Sequence, residues 1–157
     1  VMITNFQEYF KLVEYFSEFT KARMGLAMGV YNLIQIFDEK YYRHLSGGIL
    51  ESFGKLFYRD LKVYMYPYKD EEKKEFITSE NLKVHPRMKE LYKFFKNNGK
   101  LIDISDFDQE IFHIFSRKVL KMITDGEEGW QEMLPEGVAE TIVKKRLFGY
   151  SKTRKKT

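Results

Sequence analysis

The stretch Ile49 to Pro67, ILESFGKLFYRDLKVYMYP, contains the two patterns that decide the fold. Up to Tyr58 the apolar residues recur at helical spacing, which predicts a short helix that buries one face. From Leu61 to Tyr66 apolar and polar residues alternate, which predicts a half-buried strand closed by Pro67. A helix followed at once by a strand indicates a domain that mixes both kinds of element.

The same two periods recur on either side of this stretch. At the N-terminal end, Asn5 and Glu8 have the spacing of a capping box, which predicts that a helix starts at Asn5. Further helices are predicted over 22–37, from Pro86 to just before Gly99, from Asp106 through Ile123, and from Leu134 to Arg146. Further strands are predicted over 76–78 and 100–104. We therefore predict a predominantly helical α+β fold, with about six helices and a small two- or three-stranded sheet.

Length and charge predict one domain followed by a basic tail. The 157 residues suffice for one domain, and the hydrophobic fraction of 43% argues against disorder. The net charge of +4 comes from four basic residues in the last seven, since the other residues hold 23 bases and 23 acids. We predict a single globular domain over 1–150 and a disordered tail over 151–157. Because the body is neutral, nucleic-acid binding is not expected.

Several classes of site and location are excluded by composition. The chain has no cysteine, so thiolate catalysis, disulfides and zinc–thiolate sites are excluded. His44, His85 and His113 are too far apart for a histidine metal motif, and the glycines after Ser46 form no phosphate-loop motif. The acidic residues near Asp103 are interpreted as strand-end and cap residues. The N-terminus lacks the features of a signal peptide and no apolar run has membrane-spanning length, so a cytoplasmic protein is expected. Because the histidines and acidic residues form no metal motif, no bound metal is expected either.

The segment from Ile114 to Tyr150 is the most informative about function. It reads IFSRKVLKMI over 114–123, then a turn containing Gly126, then MLPEGVAETI over 133–142, and finally LFGY over 147–150. This order resembles the C-terminal end of the nicotinate (nicotinamide) mononucleotide adenylyltransferases. That family has an ISSTx[IV]R helix, a glycine turn, an L[VL]PxxVxxYI helix and a Leu-Tyr end.

The resemblance covers about a quarter of the chain and is partial. Ser116 matches the second serine of the family motif, Val119 its branched residue and Ile123 a later apolar position, and the last helix matches at three residues (Pro135, Val138 and Ile142). The departures are Phe115 for the first serine, Arg117 for threonine and Leu120 for arginine. More loosely, the strand, helix and strand over 61–104 resemble the elements that precede this motif in the family.

The resemblance implies a site for a phosphorylated ligand. In the family motif, a helix N-terminus and hydroxyl groups meet the phosphates of ATP, and an arginine adds charge. We therefore predict that Ser116, Arg117, Lys118 and Lys121 contact ATP or nicotinate mononucleotide, with Lys118 or Lys121 in place of the missing arginine. The alternative is that Ser116 only occupies a helix and Arg117 is solvated.

No catalytic residue is predicted, because the HxGH motif of the family is missing. Either the chain is part of a longer enzyme, or the catalytic half has been lost, or the family name is misleading. We therefore expect an adenylyltransferase-related protein linked to NAD metabolism that does not catalyse alone. The alternative is a helical interaction module that forms homodimers, suggested by the tyrosines at 41, 42, 64, 66 and 68.

Overall fold

A computed structural model describes residues 4–70 and 72–151 of the chain. These residues form six α-helices and two small sheets of three and two strands, which confirms the predicted α+β, predominantly helical fold. They divide into two compact units, Val1–Asp106 and Phe107–Thr157, here called the N-terminal and C-terminal units. The predicted tail lies outside the described residues except for Ser151. Within the described ranges, none of the helices has the length and apolar character needed to cross a bilayer.

The elements follow one another in the order helix, strand, helix, helix, three strands, helix, strand and two helices. The helices are α1 (Tyr9–Phe19), α2 (Val30–Ile36), α3 (Gly48–Leu56), α4 (Lys89–Asn97), α5 (Ser116–Asp125) and α6 (Val138–Lys145). The strands are β1 (Gly25–Gly29), β2 (Lys62–Tyr66), β3 (Tyr68–Asp70), β4 (Glu75–Ile77) and β5 (Leu101–Asp103).

A parallel three-stranded sheet in the order β1-β2-β5 organises the N-terminal unit. Its register aligns Met28 with Met65 and Val63 with Leu101, and these four side chains are buried on one face. The alternation of apolar and polar residues that predicted β2 therefore corresponds to one buried and one more exposed face of the sheet. The other face carries Tyr64, which is 38% exposed.

Aromatic rings fill much of the core beside the buried sheet face. Phe53 of α3 contacts Phe37 and Phe95 edge-on, with ring centroids 5.0 Å apart in each pair. The Tyr92 hydroxyl of α4 donates to the Ser79 carbonyl at 2.8 Å, and Ser79 Oγ donates to Asp103 at 2.6 Å. Part of the high aromatic content of the chain is thus buried in the core of this unit.

The C-terminal unit has its own smaller core around Trp130, which is 2% exposed. The cluster joins α5 to α6 and consists of Val119, Met122, Ile123, Trp130 and Ile142. Gly126 ends α5 in the left-handed conformation, at φ 72°, and its N–H donates to the Met122 carbonyl. The predicted helix end at Gly126 is confirmed, and the turn returns the chain towards Trp130.

Four predicted boundaries are wrong, among them the start of the last helix, which begins at Val138 and not at Leu134 because Gly137 precedes it in the left-handed conformation. The helix predicted over 22–37 is a strand up to Gly29 and a helix only after it, because the β1 backbone pairs with β2. The first helix starts at Tyr9 and not at Asn5, and no side chain caps it. The helix predicted from Asp106 through Ile123 is instead a 3₁₀ turn at Glu110–His113 followed by α5, since Ile114 and Phe115 are extended between them.

Candidate functional site

The start of α5 lies where the family resemblance places a phosphate site. Phe115 is extended, at φ −112° and ψ 122°, and Ser116 is the first helical residue. The Val119 N–H donates to the Phe115 carbonyl at 2.9 Å and closes the first turn. The N–H groups of the first helical residues have no partner within a helix, and no side chain caps them in α5. This helix end therefore offers N–H groups and positive partial charge to an anion.

The charged residues in the first turn of α5 are cations, whereas acidic residues are favoured in the first turn of a helix. Arg117 and Lys118 lie in that turn and it contains no acidic residue. Cations near a helix N-terminus are unfavourable, since the helix dipole already places positive charge there. In α3 and α4 the first turn holds Glu51 and Glu90, and in α6 it holds Glu140. In α5 no acid of the first turn offsets the two cations, so an anion at this helix start would relieve their repulsion with the helix dipole.

A groove of about 460 Å³ adjoins this helix end within the C-terminal unit. Ser116 and Arg117 line it, and the remaining lining is apolar, including Ile114, Val119, Leu120, Ile123, Leu134 and Phe148. Leu120 and Phe148 are 45% and 59% exposed, so the groove is open to solvent. The groove therefore suits a ligand with an apolar or aromatic body and one anionic group, with the anionic group at the helix start.

The four residues predicted for this site are only partly brought together. Ser116 and Arg117 line the groove, whereas Lys118 and Lys121 are exposed on α5 and do not line it. The two lysines can contribute only charge at longer range, which salt screens over about 8–10 Å. Sequence reasoning did not assign Leu120 or Phe148 to the site, although both lie within the segment that carried the resemblance.

No protein-family model, no curated protein and no solved structure matches the chain.

The other candidate site residues named in the sequence analysis make contacts that stabilise the fold. The N–H of Gly47 donates to Glu51 Oε2 at 2.9 Å, so the turn after Ser46 is capped by its own helix. Asp103 accepts from the N–H and the hydroxyl of Ser79 at 2.8 and 2.6 Å and thereby fixes the loop before α4. Within residues 4–70 and 72–151, no group of three or more acidic or histidine side chains could hold a metal ion.

The three histidines lie in unrelated places. His44 Nε2 is 2.9 Å from Glu8 Oε1, His85 accepts from the Arg87 N–H at 3.4 Å, and His113 Nδ1 is 2.6 Å from the Glu110 carbonyl. The contact of His44 with Glu8 spans 36 positions along the chain, so no local spacing in the sequence could have indicated it.

Proposed function

We propose that this chain is an adenylyltransferase-related protein linked to NAD metabolism that binds a mononucleotide at the start of α5. The observation that carries the proposal is the uncapped first turn of α5, which holds two cations and no acid beside an open groove. ATP and nicotinate mononucleotide both have the required chemistry, since each joins a phosphate to an aromatic base.

Each predicted residue has a defined part in this proposal. The phosphate accepts from the backbone N–H groups of the first turn and from the Ser116 hydroxyl. The Arg117 guanidinium donates two parallel hydrogen bonds to phosphate oxygens, as its planar fork allows. Lys118 and Lys121 add positive potential without direct contact. The base lies against the apolar wall that includes Leu120 and Phe148.

The proposal includes binding and no catalytic step. The chain has no HxGH motif, and β1 is followed directly by α2, without the glycine-rich loop that carries the motif in the family. We therefore assign no residue to charge stabilisation on a transferred nucleotidyl group. If the chain is part of a longer enzyme, the nucleotide bound here would react with groups supplied by the rest of that enzyme.

Thermal unfolding with ATP, nicotinamide mononucleotide and nicotinate mononucleotide tests the proposal. A ligand at 100 times its dissociation constant stabilises the native state by about 2.7 kcal/mol. Amide chemical shifts at residues 116–118 should change with the same ligand. Arg117→Ala should weaken binding at least tenfold, whereas Lys144→Ala, at the last turn of α6, should leave it unchanged. Absence of stabilisation and of amide shifts with all three ligands would refute the proposal.

A homodimer is the second candidate, and the open face of the parallel sheet favours it. Parallel sheets are nearly always covered on both faces, but Ala27 and Tyr64 are exposed side by side on β1 and β2. The Tyr64 ring lies over Gly25, since a Cβ there would be 2.8 Å from it. Of the other tyrosines in the predicted cluster, Tyr41 is exposed and Tyr42 is buried in the core. We propose that the Tyr64 face pairs with its copy.

Sedimentation at increasing protein concentration tests the dimer. The wild-type chain should show a concentration-dependent rise in mass that Tyr64→Lys abolishes. Tyr58→Lys is the matched control, because Tyr58 is also exposed but lies outside the sheet. A monomer at all concentrations would contradict this candidate and leave the nucleotide proposal unaffected.

A further inference from the structure

A second cavity, of about 430 Å³, lies entirely within the N-terminal unit. It is formed by the start of α1, the end of α2 and the segment around residues 41–44. None of these residues lines the proposed nucleotide groove. Its volume falls in the range of small-molecule sites, which run from roughly 300 to 1,000 Å³.

The floor of this cavity is rigid and apolar. Tyr42 and Ile36 are 6% and 1% exposed. The Tyr42 ring is held by Phe10 and Phe53, with ring centroids 6.4 Å away in each case. Burial also raises the pKa of Tyr42 to about 12, so its phenol is neutral at ordinary pH. A ligand would therefore meet a preformed apolar floor, which reduces the entropy that binding must overcome.

The charged group in the wall is internally neutralised. Glu8 Oε1 lies 2.9 Å from His44 Nε2, Glu8 Oε2 forms an ion pair with Lys11 Nζ at 2.5 Å, and the Glu8 side chain is only 19% exposed. This pairing fixes the segment around His44 against the start of α1. Because Glu8 is already occupied by two partners, it does not supply a free carboxylate that would select a cationic ligand.

Beside the ion-paired group of Glu8, Lys11 and His44, the neutral hydrogen-bonding groups in the lining include two carboxamides and the hydroxyls of Tyr9 and Tyr41. Gln7 lines the cavity from the segment just before α1 and Gln35 from α2, and both are exposed. Each carboxamide presents a donor and an acceptor side by side, which matches the paired donor and acceptor on the edge of a nucleobase. Tyr9 and Tyr41 also line the cavity, and a flat base can stack on tyrosine rings. Lys40 Nζ lies over the Tyr41 ring, 4.7 Å from its centroid, so a base can use only the other face of that ring.

We infer that this cavity binds a planar nitrogen heterocycle of the nucleobase type, read by Gln7 and Gln35 and stacked on tyrosine. The cavity pairs an apolar floor with neutral, two-way hydrogen-bonding groups at its rim. That pattern fits a flat ring with polar edges better than an ion or an aliphatic chain. This site is independent of the nucleotide groove in the C-terminal unit.

Titration of the full chain with adenosine, guanosine, cytidine, uridine and glucose, followed by side-chain amide resonances, tests the inference. At least one nucleoside should shift the Gln7 and Gln35 side-chain amides, and glucose should not. Gln35→Ala should weaken that nucleoside about tenfold, the value of one lost neutral hydrogen bond. Gln131→Ala, an exposed glutamine of the C-terminal unit, is the matched control and should have no effect.

Two further variants separate this site from the groove. Tyr41→Ala should also weaken nucleoside binding, and Arg117→Ala should not. Nucleoside binding that Arg117→Ala abolishes and Gln35→Ala leaves intact would place the base in the groove and overturn the inference. Tighter binding of glucose than of any nucleoside, or no binding of any nucleoside at millimolar concentration, would overturn it as well.

Discussion

Replacing Lys118 by glutamate should stabilise the C-terminal unit and at the same time weaken its binding of anions. Lys118 lies in the first turn of α5, where the helix dipole makes a cation unfavourable and an anion favourable. Lys118→Glu therefore removes a repulsion and adds an attraction. The Lys118 side chain makes no hydrogen bond or ion pair within residues 4–70 and 72–151, so the substitution breaks no such contact.

The expected magnitude follows from the position of the charge. One charge near a helix end contributes about 0.3–1 kcal/mol, and a reversal of sign counts this twice. Since residue 118 is exposed, the lower part of that range applies, and we expect a gain of about 1 kcal/mol in the free energy of unfolding. For a unit that spans Phe107–Thr157, that gain raises the unfolding midpoint by roughly 9 °C.

Fluorescence of Trp130 measures this unfolding selectively. It is the single tryptophan of the chain and lies in the core of the C-terminal unit, where it is 2% exposed. The matched control is Lys144→Glu, which places an acid in the last turn of α6, where a cation is favourable. That control should lower the midpoint. If Lys118→Glu lowers the midpoint, or if Lys144→Glu raises it, the dipole argument is wrong.

The same pair of variants separates stability from ligand binding. Lys118→Glu should weaken ATP or mononucleotide binding at least tenfold, about 1.4 kcal/mol, because it replaces attraction for phosphate by repulsion. Lys144→Glu should leave the affinity unchanged. A more stable variant with unchanged affinity would show that the potential at the start of α5 has no part in binding.

Three further predictions concern the scaffold of each unit. Gly126→Ala should destabilise the C-terminal unit by about 1–2 kcal/mol, since position 126 has φ 72°, and a lowered midpoint of Trp130 fluorescence checks this. Asp103→Asn should cost about 1–3 kcal/mol in urea unfolding followed by circular dichroism, because one oxygen that accepts from Ser79 is replaced by a donor. Tyr42 is neutral in the folded state up to about pH 12, so the stability it contributes should be full below pH 10 and lost between pH 10 and 12. Measured at pH 9, 10, 11 and 12, the free energy of unfolding of Tyr42→Phe should fall less with rising pH than that of the wild type. An equal fall would contradict the raised pKa of Tyr42.

The sequence predicted the elements whose own periodicity is strong and missed those formed by distant pairing. The strand β2 and the helix α3 were predicted from their internal patterns, and Gly126 was predicted as the end of α5. The strand β1 was missed because the spacing of Leu26, Val30 and Leu33 also fits a helix. Its true structure depends on hydrogen bonds to residues 62–66, more than 30 positions away.

The candidate sites show the same division between local and distant information. The helix start at Ser116 was assigned from a local motif. The groove beside it depends on Phe148, which lies 32 positions further along. The cavity in the N-terminal unit was not predicted at all, because Gln7, Gln35 and His44 come from three separate segments that carry no shared motif. Local patterns therefore indicate helix ends and strand faces, whereas the walls of a cavity require the tertiary fold.

The charges at the helix ends give the strongest internal argument for the site at α5. In α3, α4 and α6 an acid lies in the first turn and a lysine in the last, as the dipole favours. Lys11 in the first turn of α1 is neutralised by Glu8 at 2.5 Å. In α5 alone among the described helices, two first-turn cations have no acid in that turn. Three of the six described helices thus follow the rule, α1 and α2 have no acid in the first turn, and α5 places two cations there beside an open groove, which supports the proposed anion site.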